Sequence, residues 1–216
     1  MLTKKLAIGI FAAMAGLSWG TSAYAADAGD WLVRGRIINV NPNDDSGEVT
    51  GISGSGVSVD SATTVELDFT YFLNNNLALE LILATTSHDI NGAGTVASLG
   101  KVVDTMVLPP TLTLQYHSDI SEGVRAYAGI GVNYTLFYSE DGTGAFEGAD
   151  VDLDSSFGLA GQVGFDFDLN KDWFLNVDVK YISIDTTAEI NTGTSILKVD
   201  ADIDPWVFGI GIGTKF

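Results

Sequence analysis

Four pairs of charged residues, each two positions apart, run through this 216-residue chain: Arg34 with Arg36, Glu66 with Asp68, Asp166 with Asp168, and Asp178 with Lys180. Residues i and i+2 point to the same side of a β-strand, so the members of each pair project into one space. Glu80, Arg125 and Lys215 occupy the matching side of their own alternating runs, which brings the set to five cations and six carboxylates. Charges shut away from water are tolerated only when paired and hydrogen-bonded. The chemistry open to this set is mutual neutralisation, a layer of ion pairs across an enclosed interior.

The elements that must position these residues alternate with period two. Residues 31–40, 63–72, 77–86, 108–117, 124–137, 155–169, 173–184 and 205–216 each read as a strand. One face carries the charges and most of the glycines, and the other is aliphatic with aromatic ends. Segments 74–76, 118–123 and 170–172 are short turns, while 41–62, 88–107 and 138–154 read as long loops. Residues 185–204 alternate weakly, as a hairpin standing above the rest.

The final strand shows what the aliphatic face needs. Trp206, Phe208, Ile210 and Ile212 lie on one side, Gly209, Gly211 and Gly213 on the other, and the chain stops at Phe216. Lipid is the natural cover for that face. A lipid-facing Arg at mid-bilayer costs about 2–4 kcal/mol, so the charged face must point inward. Ten steps of about 3.3 Å at a tilt of about 40° span roughly 25 Å, the height of the apolar band of such proteins. An even number of strands returns both termini to one side. The expected fold is therefore all-β: an eight-stranded antiparallel transmembrane β-barrel with short periplasmic turns, long extracellular loops and both termini periplasmic. A soluble ligand-binding barrel of eight strands would turn its apolar face inward. The charged and glycine-rich faces argue against it.

Lys4 and Lys5, the apolar run over residues 6–17 and Ala23-Tyr24-Ala25 read as a secretory signal peptide cleaved after residue 25, leaving residues 26–216 as a single barrel. The chain has no cysteine, so it is not a disulfide scaffold. Its formal net charge of -18 argues against nucleic acid as a partner.

Other reactive groups carry less. His88 and His117 are the two histidines of the chain. Hydrolysis or acyl transfer needs a nucleophile, a His and an orienting carboxylate within mutual reach. Ser87 and Asp89 flank His88, but neighbours on a strand point oppositely, and no nucleophile motif accompanies them. His117 lies beside the short periplasmic turn, below any outer-leaflet chemistry. The chain is not read as an enzyme, and a lipid-modifying barrel ranks third among the functions considered. Asp150-Val-Asp-Leu-Asp154 opens like a calcium loop, yet Ser155 and Gly161 stand where its Gly and Glu belong. A solvated acidic loop is expected there, with no metal or cofactor.

Several pieces of the wall resemble the OmpW family of small outer-membrane proteins. They are Trp31-Leu-Val-Arg34 with the turn at Asn41-Pro-Asn-Asp44, Leu108-Pro-Pro-Thr-Leu-Thr-Leu-Gln-Tyr-His117, Tyr127-Ala-Gly-Ile-Gly-Val-Asn-Tyr134, Trp173-Phe-Leu-Asn-Val-Asp-Val-Lys-Tyr181 and the last strand. The resemblance implies an eight-stranded barrel with a narrow, rather apolar channel associated with passage of small hydrophobic molecules.

Placing the inward residues by height sharpens this. Arg34, Arg36, Glu66, Asp68, Glu80, Arg125, Asp166, Asp178 and Lys180 should form a charged floor in the periplasmic half. Ile38, Ile82, Ala84, Ile182 and Val207 should line an apolar lumen above it. A hydrophobic solute arriving from outside would meet the floor and need a side exit into outer-membrane lipid. Pro109 and Pro110, which lack N–H donors, either open such a lateral window or simply mark where their strand begins. The alternative function is a closed structural or receptor-like barrel whose loops bind partners. The terminal strand ending at Phe216 also resembles the signal read by barrel-assembly machinery.

Overall fold

The computed structural model describes residues 27–216, so the expected leader over residues 1–25 lies outside the described residues. In chain order the strands are β1 (Trp31–Asn41), β2 (Asp45–Ser46), β3 (Ser55–Val59), β4 (Ala62–Phe72), β5 (Leu77–Ala84), β6 (Thr86–Gly94), β7 (Lys101–Leu108) and β8 (Thr111–Ser121). They continue as β9 (Val124–Gly142), β10 (Asp150–Leu153), β11 (Ser156–Asp168), β12 (Trp173–Ile182), β13 (Asp185–Asn191), β14 (Ile196–Asp202) and β15 (Trp206–Lys215).

A strand with one apolar face in lipid must still satisfy its backbone, and only a closed sheet does so without edges. The ladder runs β1, β4, β5, β8, β9, β11, β12, β15 and back to β1, an eight-stranded antiparallel barrel. Its closing seam is finished by Phe216, whose N–H donates to Trp31 O at 2.9 Å while Trp31 N–H donates to Phe216 O at 3.2 Å. The described chain begins and ends at this lower end, where Asn74 and Asn170 each turn the chain by accepting two backbone N–H groups on Oδ1.

Most runs continue upward past one break: β5 into β6 at Thr85, β8 into β7 at Pro109-Pro110, β11 into β10 at Asp154-Ser155, β12 into β13 at Ser183-Ile184, and β15 into β14 at residues 203–205. The break level divides two opposite polarities. Below it the outward residues are apolar and bare, with Ile130 75%, Leu159 69% and Phe157 68% exposed, while Arg34, Arg36, Glu66 and Asp68 are buried inside. Above it Ile90, Val103, Val151, Ile190 and Val199 point inward, and Asp89, Asp104, Asp152 and Asp200 point outward.

Three loop expectations are corrected by this upper storey. Residues 88–107 are largely β6 and β7, residues 138–154 hold the top of β9 together with β10, and residues 41–62 contain β2 and β3. The hairpin expected over 185–204 is present as β13 and β14. The turn expected over 118–123 shrinks to Glu122-Gly123, because β8 runs on to Ser121.

Candidate functional site

Inward positions of β1, β4, β5, β11 and β12 fall at one level and meet across the lumen. Arg34 contacts Asp166 at 2.8 Å and Glu80 at 3.3 Å. Arg36 contacts Asp178 at 2.6 Å, Glu66 at 2.9 Å and Glu80 at 3.4 Å, and it also pairs with Asp68. Lys180 contacts Glu66 at 2.7 Å and Asp178 at 2.8 Å. All eight groups are buried. Three cations thus face five carboxylates, a larger acidic excess than the five cations against six carboxylates expected from the full set of inward charges.

The difference lies in Arg125, Asp168 and Lys215, which the strands carry to the lower mouth. Arg125 bonds Asp119 at 3.0 Å and sits 5.7 Å from the Phe72 ring, and Lys215 bonds Asp30 at 2.5 Å. With Asp168 they line a separate polar hollow below the floor. Their place follows from register. Arg125 pairs with Asp166 near the turn, and Lys215 pairs with Leu32 beside the terminus.

Neutral side chains complete the floor. Gln115 and Gln162 each donate an amide N–H to Glu80 Oε2 at 2.6 Å. They can converge because both flank Gly129 in the ladder. Asn176 donates to Asp166 and to the Tyr127 hydroxyl, at 2.7 Å and 3.0 Å. Their inward parity was visible in sequence, but nothing in an uncharged residue signals membership of a charge cluster. His117 packs here against the Phe72 and Tyr127 rings, with its Nε2 on Gln115 Oε1 at 2.7 Å.

Directly above, Ile38, Ile82, Ala84, Ile182 and Val207 line one elongated cavity with Glu66 at its base. The cavity extends well beyond those five residues, past Val59, Ile90, Val103, Phe137 and Ile190, to an empty volume of about 1090 Å³ that includes open solvent. Its few polar groups are largely paired. His88 bonds Thr86 Oγ1 at 2.9 Å and Asp60 O at 2.8 Å, pointing inward while Ser87 points out. In the segment read as an acidic loop, Val151 and Leu153 of β10 face inward and Asp150 and Asp152 face solvent.

The ladder around this cavity is interrupted at several places, and one of them lies between β5 and β8. Ile82 pairs with Thr111, and in the same register Thr86 pairs with Val107, but Leu83, Ala84 and Thr85 make no ladder pair with the segment Leu108-Pro109-Pro110 opposite. The proline carbonyls are turned toward β9, where Asn133 Nδ2 donates to Pro109 O at 3.1 Å and Tyr134 N–H donates to Pro110 O at 3.1 Å. Neither proline has an N–H to offer β5. Ala84 and Pro109 both line the cavity at this gap, and a hydrogen bond of 2.6 Å between the Thr85 and Tyr138 hydroxyls crosses its outer side.

Comparison with known proteins places this geometry. Residues 27–216 match the OmpW family. The chain is similar to Outer membrane protein W of Vibrio cholerae, 41% identical over 211 residues that cover 95% of this chain and 96% of the relative. It is similar to the Dibenzothiophene metabolism operon protein PahQ of Pseudomonas aeruginosa, 30% identical over 169 residues, covering 76% and 77% of the two chains. Among solved structures, the outer membrane protein OprG from Pseudomonas aeruginosa superposes with a TM-score of 0.81 at 38% identity, covering 88% of this chain and 97% of that one.

Proposed function

The chain belongs to the OmpW family of outer-membrane barrels, and from that premise we propose that it takes small hydrophobic molecules into its upper lumen and releases them sideways into the bilayer. The observation that carries the proposal is the juxtaposition of three features. An apolar cavity ends on a buried layer of ion pairs, and its wall lacks ladder pairs opposite Pro109-Pro110. An apolar solute gains by leaving water for the cavity. It gains nothing by crossing the floor, where displaced ion pairs would lose their partners. The way out in this reading is the gap between Ala84 and Pro109, where the prolines offer β5 no N–H.

A relative whose name places it in a dibenzothiophene metabolism operon supports an apolar, aromatic-sized cargo. In the membrane the end carrying both termini is periplasmic, and the storey above the breaks projects outward with its polar face to solvent. The closing strand, ending at Phe216, is the segment that assembly machinery would engage. The reaction-free character of the site also follows from this reading, since binding and release need no nucleophile. The rival reading, a closed barrel acting through its loops, loses support because most of the loops expected are ladder-paired strands lining the cavity.

The test is uptake of N-phenylnaphthylamine by vesicles whose outer leaflet is lipopolysaccharide. Replacing both prolines, Pro109→Val with Pro110→Val, restores donors to the gap and should slow uptake by about tenfold. Unchanged uptake would refute the side exit.

A further inference from the structure

Above the breaks the wall is two sheets rather than one. β3, β6, β7 and the top of β9 form one half-shell, and β10, β13, β14 and β2 form the other. No ladder joins them along either meeting line. At the seam between β2 and β3 the joints are side chains accepting from backbone. Ser46 Oγ accepts from Val57 N–H, Asp44 Oδ2 from Val59 N–H, and Ser55 Oγ from Val49 N–H, each at 2.9 Å, and Glu48 Oε1 accepts from Gly54 N–H at 2.8 Å. At the seam between β9 and β10, Leu153 N–H reaches Glu140 Oε1 at 3.4 Å.

Beside the β2–β3 seam lies a second apolar hollow with an empty volume of about 440 Å³, open solvent included. Ile52, Val96, Leu99, Phe146 and Leu197 line its outer part, and Ile52 and Leu99 are exposed at the rim. Its inner wall is formed by Val57, Val102, Ala188, Ile190 and Val199, and those same side chains line the main cavity. The partition between the two spaces is made of small aliphatic groups.

We propose that this hollow is a binding site for small apolar molecules, an antechamber from which they pass into the main cavity when the β2–β3 seam parts. The proposal rests on the uptake reading above and adds its inlet. Ile90, Val102, Val103, Ile190 and Val199, drawn from both half-shells, belong to one buried cluster and also line the main cavity. At the seam, water can replace these side-chain acceptors as the strands separate, whereas parting a ladder would strand backbone groups along a whole strand. A charged solute would lose its hydration in a hollow lined this way, so the site selects apolar cargo.

The chain has no cysteine, so a disulfide across the seam can be introduced alone. A Cβ built at Gly56 stands 2.8 Å from Ser46 Oγ, a separation that suits a disulfide. In the same vesicle assay with N-phenylnaphthylamine, the oxidised pair Ser46→Cys with Gly56→Cys should lose uptake about tenfold or more, and a thiol reductant should restore it. Uptake by the oxidised form at the wild-type rate would overturn the seam as inlet. Fluorescence titration of N-phenylnaphthylamine on the detergent-solubilised barrel reads the hollow separately. Two binding phases are expected, of which Ile52→Arg removes one, and a single phase indifferent to Ile52→Arg would overturn the site. Wild-type vesicles that take up no more probe than protein-free ones, with both phases retained, would remove the transport reading and leave the antechamber as a binding site.

Discussion

Arg36 Nη1 lies 2.6 Å from Asp178 Oδ2, although β1 and β12 are not neighbours and β15 runs between them. The bridge is possible because β15 presents Gly209 beside Asp178 in the ladder, where a Cβ would come within 2.3 Å of Asp178 Oδ1. Gly209→Ala should therefore displace Asp178 from Arg36, and overpacking of this kind costs about 1–3 kcal/mol. A urea unfolding series in lipid vesicles measures it. Gly161→Ala is the control, since its nearest neighbour within reach is Gly129 O at 4.0 Å.

Removing one partner from a buried ionic cluster costs more than the cluster is worth. Arg36 touches Glu66, Asp68, Glu80 and Asp178, so Arg36→Leu leaves those carboxylates with only Arg34 and Lys180. A loss of about 3–5 kcal/mol is expected. The conservative Glu80→Gln should cost less, because a neutral amide oxygen still accepts from Gln115 and Gln162. Equal losses for the two variants would contradict the picture of Arg36 as the hub of the floor.

In the proposed function, the aliphatic lining selects the cargo. Ile182→Asp places a carboxylate in the cavity two residues above Lys180 on the same inward face of β12. An ionised group there would hold water against an entering solute. Uptake of N-phenylnaphthylamine should fall about tenfold while the barrel still folds, and Ile182→Leu should leave uptake unchanged.

The upper storey carries a pH dependence of its own. Burial of His88 among apolar neighbours lowers its pKa below the usual 6.5, outweighing the opposing bond to Asp60 O. The unfolded chain then binds a proton more readily than the folded one between that lowered value and 6.5. Stability is fully present above about pH 6.5 and declines as pH falls through that window. Urea midpoints measured at about pH 8 and about pH 5 should differ in wild type and differ less in His88→Gln. An identical pH slope in the two proteins would contradict the assignment.

Below the breaks, the period-two pattern located the strands, their facing and the charged residues, because lipid outside and a crowded interior impose opposite demands on alternate positions. Above them the same reasoning read strands as loops. Thr86, His88 and Ile90 point in and Ser87 and Asp89 point out, a soluble-protein pattern that is faint when judged by a lipid-facing rule. The hidden part of the cavity is therefore the part whose polarity inverts. Arg125 is expected in the floor from its inward parity and its height along the strand, yet neither fixes the level at which a long side chain finds its partner, which for Arg125 is Asp119. Gln115 and Gln162 reach Glu80 because they flank Gly129 from two strands, a convergence that only register reveals.

The central claim is that cargo leaves through the wall between Ala84 and Pro109, which face each other in the continued register of β5–β8 and β6–β7. In a chain without cysteine, Ala84→Cys with Pro109→Cys allows that wall to be closed by oxidation and reopened by reduction in one preparation. The measurement is N-phenylnaphthylamine arrival in the bilayer of vesicles with a lipopolysaccharide outer leaflet. Arrival should stop on oxidation and recover on reduction. Equal rates in both states would mean that the solute does not leave by this gap.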